Sequence, residues 1–201
     1  MAERDRGWFD RPALAVAREL IGARLVHETR DGVVAGVIVE TEAYAGPEDL
    51  AAHSARGRTP RNAVMFGPPG HAYVYLVYGI HHCVNVVCGP GEKPEAVLLR
   101  AATIDVGLEV ARRRRGSGVA DHRLAAGPGN LTVAFAIDRA SNGGDLIHGP
   151  LRVEPGAAPR TIATSVRIGV AYSGAWAELP WRFMAAGDPH VSRPARGGAQ
   201  A

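Results

Sequence analysis

The residues best suited to chemistry lie between positions 40 and 100. Val39-Glu40-Thr41-Glu42-Ala43-Tyr44 puts two carboxylates at the end of an otherwise apolar, β-branched run. Alternate side chains of a strand share a face, so Glu40 and Glu42 point the same way. Acids are costly to bury. A carboxylate held where a strand enters a loop can act as a general base; it can equally be a surface acid or half of an ion pair. Tyr44, Tyr73, Tyr75 and Tyr78 belong to the same stretch. Tyr73 and Tyr75 share a strand face, and Tyr78 faces the other way beside Gly79. Strands favour aromatics for packing alone, yet such rings also stack on planar ligands. A bulky residue at a hairpin tip can form a wedge between base steps.

His53, His71, His81 and His82 lie close together, with Asp49 nearby. None has the i, i+4 spacing of a His-Glu-x-x-His helix, and adjacent histidines on a strand point apart. No metal site and no cofactor are expected. Arg56, Arg58 and Arg61 occupy a loop, where arginines favour phosphate contact or form a solvated face. Arg112-Arg113-Arg114-Arg115 is charged enough to bind nucleic acid non-specifically, and is as readily a solvated helix end. Lys93 is the only lysine among 23 basic side chains. Cys83 and Cys88 sit five apart in one strand, so they face opposite ways as small buried hydrophobes rather than as a disulfide.

These residues need a scaffold. The 201 residues, 46% hydrophobic and 21% charged, fit one domain over residues 1–192. An Arg/Pro/Gly/Ala-rich tail from 193 to 201 is expected to be disordered. A net charge of +3 does not by itself demand a nucleic-acid partner. No apolar run approaches the ~18 residues of a membrane span, and the charged N-terminus lacks a signal-peptide core. A cytoplasmic location is expected, with no membrane partner.

The periodicity predicts a first helix capped by Asp10, with Leu14, Val16, Leu20 and Ile21 as its apolar stripe. Strands are predicted over 33–41, 72–78, 82–88 and 96–102, the middle two joined as a hairpin through Gly79-Ile80-His81. Residues 45–71 form a long loop, which inside a domain is usually functional. Helices follow over 104–116 and from Gly127-Pro128 to about Ile137, with short strands near 151–154, 165–171 and 181–186. Mixed elements without βαβ alternation predict an α+β fold.

Taken in order, several stretches resemble the alkyladenine (3-methyladenine) DNA glycosylase family. They are Ile38 to Tyr44 with Gly46-Pro47-Glu48-Asp49, Ala52-His53-Ser54, Thr59-Pro60-Arg61-Asn62, Met65-Phe66, Tyr73 to Gly79, Asn85-Val86, Leu98 to Ala101, Gly127-Pro128-Gly129 and Arg167 to Val170. The resemblance implies a single compact domain around a curved antiparallel sheet with a protruding hairpin. It implies a nucleoid-associated repair enzyme that acts on damaged purines in double-stranded DNA, and a monomer is expected because one target base needs one pocket. By the same resemblance Glu42 is the general base and Arg100 helps hold the attacking water. Tyr44, His53 and Tyr75 wall the base pocket, Asn85 crowds the guanine amine, and Tyr78 fills the gap left in the duplex. Asn130 stands where the family often has lysine. Two rival readings are a non-catalytic nucleic-acid binder and a metal-dependent hydrolase using His53, His71 and a histidine at 81 or 82.

Overall fold

The computed structural model describes residues 5–194. Its centre is an open antiparallel sheet of eight strands: β1 (Arg24–Thr29), β2 (Gly32–Tyr44), β3 (Ala72–Val77), β4 (His81–Cys88), β5 (Glu95–Ala102), β6 (Leu151–Glu154), β7 (Ile162–Ser165) and β8 (Arg182–Ala185). The strand order is β3-β4-β5-β2-β1-β6, with β8 also on β2 and β7 on β8. The helices are α1 (Arg6–Phe9), α2 (Ala13–Leu20), α3 (Leu108–Arg115) and α4 (Pro128–Phe135). This is the α+β domain expected from the sequence.

The 13-residue β2 organises the sheet. Its first half pairs with β1, and its second half lies between β5 and β8. The β2–β5 register jumps twice, so that Val39 and Arg100 have no cross-strand partner between Ile38↔Ala102 and Thr41↔Leu99. Such bulges bend a strand and re-aim side chains. One face of the sheet is apolar: Val74, Val84, Val86, Val97, Leu99 and Ala43 join Val16, Leu20, Leu131 and Phe135 of α2 and α4 in one core. Burying each large aliphatic or aromatic side chain stabilises the fold by about 1.5–3 kcal/mol.

Local structure departs from the sequence reading in several places. Asp10 does not cap α2; its side chain accepts from the Gly91 amide at 3.1 Å. The first helical amide, Ala13 N–H, is satisfied instead by Glu95 Oε2 at 2.6 Å, from 82 residues away. A tertiary carboxylate supplies what a local cap usually does. The first strand, β1, is not evident from sequence because the alternation of Arg24 to Thr29 is short and polar at its end. The strand expected over 165–171 ends at Ser165, and a 3-10 stretch, Ala171–Glu178, follows. The 45–71 loop contains two 3-10 turns, His53–Arg56 and Ala63–Phe66. Buried Asn62 holds it together, donating to the carbonyls of His53 and Gly57 at 2.9 Å each. Of the tail expected from residue 193, positions 195–201 lie outside the described residues.

Candidate active site

The second face of the sheet is the floor of a cleft. Cross-strand pairing lines up Tyr73, Asn85, Leu98, Glu42 and Arg182 in one row across β3, β4, β5, β2 and β8. The next row pairs Tyr75 with Cys83. Because alternate residues share a face, strand register alone puts acid, amide and aromatic side chains together. Above them lies a cleft of about 490 Å³, bordered by Tyr44, His53, Tyr75, Asn85, Arg100 and the 168–172 segment. That size suits a flat ring system. Cys83 faces this cleft, and Cys88 faces the core.

Glu42 lies beneath the cleft, completely shielded from solvent. Oε1 accepts from the Ile168 amide at 2.8 Å and lies 3.2 Å from Arg100 Nη1. Oε2 accepts from the Tyr44 hydroxyl at 2.9 Å. A carboxylate offers about four lone-pair sites, so one remains for a further donor. Burial pushes the Glu42 carboxyl above its ordinary range, against the opposing pull of Arg100, the Ile168 amide and Tyr44. A glutamate is anionic at neutral pH unless strongly desolvated, and the structure supplies both the desolvation and the arginine that offsets it.

The walls favour neutral rings. His53 Nδ1 is 2.9 Å from the Tyr73 hydroxyl, and its ring meets Tyr75 edge-on at 4.6 Å between centroids. Burial, with Arg61 nearby, lowers the His53 pKa, which keeps the imidazole uncharged at neutral pH. Burial raises the pKa of Tyr44 and of Tyr75. Asn85 Nδ2 donates to the Tyr73 carbonyl at 3.1 Å, which fixes the amide at the floor. Tyr78 stands on the β3–β4 turn at the rim, 93% exposed. It has φ 52°, followed by Gly79 at φ 70°. Arg56 and Arg58 are exposed on the 45–71 loop. Arg61 lies differently, with its guanidinium 5.1 Å from the Tyr75 ring centre and a hydrogen bond to the Leu76 carbonyl.

Several contributors do not stand out from sequence. Asp49 and Arg167 form a fully buried bidentate pair at 2.5 and 2.9 Å. The Arg167 guanidinium packs on Tyr44 and Trp181 at 4.9 and 5.0 Å. It thereby ties the 45–71 loop to the segment that carries the Ile168 amide. Arg182, Ser192 and Tyr172 are equally inconspicuous. A lone arginine in the apolar Trp181-Arg182-Phe183-Met184 run is the available signal for the first. The histidines do not converge: His71 Nδ1 lies 3.2 Å from Arg6 Nη1. Among the described residues no three His, Cys, Asp or Glu side chains are grouped to hold a metal ion. Asn130 donates to the Ala126 carbonyl at 2.7 Å.

A shielded carboxylate and guanidinium beneath an aromatic cleft, on an α+β scaffold, form an arrangement that can hold a flat ring system beside ionisable groups. Comparison with known proteins gives the chain a family. A model described as methylpurine-DNA glycosylase matches residues 7–189. A protein of Methanocella arvoryzae named "Putative 3-methyladenine DNA glycosylase" is 48% identical, over 96% of each chain. One of the same name from Streptomyces avermitilis is also 48% identical, over 93% of this chain and 89% of the relative. Another from Anaeromyxobacter dehalogenans is 50% identical, over 98% and 88%. The chain belongs to the methylpurine-DNA glycosylase family, hydrolases of the N-glycosidic bond.

Proposed function

We propose that this protein extrudes a methylated purine nucleotide from duplex DNA into the Tyr44–His53–Tyr75 cleft and hydrolyses its N-glycosidic bond. The observation that carries this reading is the placement of Glu42, sealed beneath the cleft between Arg100, Tyr44 and the Ile168 amide. Glu42 takes a proton from water as the water oxygen attacks C1′ of the sugar. The glycosidic electron pair leaves with the base. A purine nucleotide methylated at ring nitrogen N3 or N7 is cationic before cleavage and its base departs neutral, so no second acid is required. The sugar passes through oxocarbenium character, which a neighbouring carboxylate stabilises.

The neutral rings of the walls support a cationic guest, because a π face attracts positive charge. Uncharged deaminated purines such as hypoxanthine fit the same space but lack that attraction and need protonation to leave. Exposed Tyr78 fills the vacated stack; each base-to-aromatic contact is worth about 1–3 kcal/mol. Lys93 is held by Glu48 and Glu95 at 3.3 and 3.1 Å, and it does not line the cleft. That supports a monofunctional enzyme that leaves an abasic site, with no lysine amine at the cleft among the described residues to form a Schiff base. The test is base release from methylated duplex DNA, with borohydride trapping alongside. Free methylpurines and no covalent adduct are expected; an adduct contradicts the monofunctional reading, and no release contradicts the whole.

A further inference from the structure

Glu40 is the second carboxylate of β2, and the hydrolysis gives it no task. It is fully buried, with both oxygens occupied. Oε1 accepts from Arg100 Nε at 2.8 Å, Arg182 Nη1 at 3.1 Å and Ser192 Oγ at 2.9 Å. Oε2 accepts from the Ser192 amide at 2.6 Å. Ser192 Oγ also lies 3.5 Å from Arg100 Nη2. Arg182 carries the connection outward, donating to the carbonyls of Val166 at 3.1 Å and Arg193 at 2.9 Å. Val166 is two residues from the Ile168 amide that holds Glu42. Glu40 thus joins β2, β5, β8 and the 192–194 segment at the one side chain, Arg100, that reaches both carboxylates.

Fold stability does not explain this cluster well. Buried ion pairs are often no better for stability than apolar side chains of the same volume. What the cluster does fix is direction. Arg100 sits at the β5 bulge, without a cross-strand partner to set its orientation, and its Nε is held by Glu40 while Nη1 reaches Glu42. We infer that Glu40 and Ser192 are positioning residues for Arg100, which aim its guanidinium at Glu42 and the cleft. This rests on the proposed glycosylase reading and extends the working site to the chain's 192–194 segment.

The groups facing Glu42 are Arg100 from β5, Tyr44 and Glu40 from β2, Arg182 from β8, Cys83 from β4 and the Ile168 amide. Of these, only Glu40 brings a second negative charge close enough to hold the Glu42 carboxyl up. Neutralising it removes the weakest of these influences on Glu42, whereas a displaced Arg100 removes the strongest one that opposes burial.

The experiment is single-turnover excision from methylated duplex DNA across pH, with binding to an abasic-site duplex and thermal melting measured in parallel. For Glu40→Gln the maximal rate is expected to fall about 10–100-fold, as misaimed catalytic groups do, with abasic-DNA affinity unchanged. Its acid limb moves to higher pH, because the Arg100 charge that opposes the burial of Glu42 is no longer held against it, and this outweighs the loss of the Glu40 charge. Ser192→Ala keeps the amide hydrogen bond, removes only the hydroxyl, and should slow excision about three- to tenfold. It also decides the matter if Glu40→Gln does not fold. Variants that melt lower but excise at the wild-type rate with an unmoved acid limb overturn the positioning role alone. A wild-type protein that releases no base overturns the glycosylase reading with it.

Discussion

Glu42 works against its own surroundings. Its carboxyl is raised by burial, so the folded state holds its proton more tightly than the unfolded chain. The linkage follows in sign: this group favours folding at low pH, and the contribution is lost as pH rises through the folded-state value. The proposed catalysis needs the opposite, ionised form. The excision rate is therefore expected to fall as pH drops through a value above the ~4.3 of an unperturbed glutamate; an acid limb at or below that value contradicts the burial argument. Glu42→Gln should bind lesion DNA about as well as wild type yet release no base, and at neutral pH it should melt no lower. Near-normal excision by that variant removes Glu42 from the mechanism. Few acids or arginines interrupt these apolar strands, so the pattern singles out Glu40, Glu42, Arg100 and the tyrosines together, and the choice of Glu42 among them rests on the family resemblance. Sequence alone does not reveal Arg182, Ser192 or the Asp49–Arg167 pair, whose partners lie more than 100 residues away.

Among the elements, the β3–β4 turn carries local backbone strain. Tyr78 and Gly79 both have positive φ, the central pair of a turn closed by the Ile80 amide on the Val77 carbonyl at 3.1 Å. A tyrosine there costs roughly 1–2 kcal/mol. Tyr78→Asn should therefore raise the melting temperature while weakening lesion-DNA binding and excision; a variant as active as wild type argues against a wedge. The hairpin is legible from Gly79 and the alternation around it. The double β2–β5 irregularity is not, because a bulge depends on pairing between strands rather than on either strand's own pattern. Nor can Asp10 be told from Glu95 as the helix cap, since both offer a carboxylate and only the fold decides which one arrives. The Asp49–Arg167 pair anchors the 45–71 loop against the 166–170 segment. Asp49→Asn leaves a buried guanidinium without its counter-charge, and a loss of about 3–5 kcal/mol is expected in denaturant unfolding.

Over the whole molecule, the basic side chains divide into two groups. The Arg112–Arg115 run, which by sequence suits either a DNA contact or a solvated helix end, is largely occupied within the protein. Arg112 pairs with Asp121 and Glu109, Arg114 with Asp31, and Arg115 with the Leu124 carbonyl. Arg56 and Arg58, on the loop that carries His53, are exposed. Replacing both by alanine should weaken binding to any duplex and reduce the salt slope by about 0.9 for each phosphate no longer neutralised. An unchanged slope would assign phosphate binding to other side chains. The α+β class is legible because strands and helices follow one another without regular alternation. The cleft is not, since its floor is assembled from five strands scattered between residues 42 and 182.

Cys83 adds one consequence for survival under chemical stress. Burial pushes its thiol up to about 11, so at neutral pH only about one molecule in 10⁴ carries the reactive thiolate. The same small electrophiles that methylate purines attack thiolates. The thiol at the cleft is therefore nearly inert toward such reagents, and Cys83 should resist iodoacetamide at concentrations that modify an ordinary exposed cysteine.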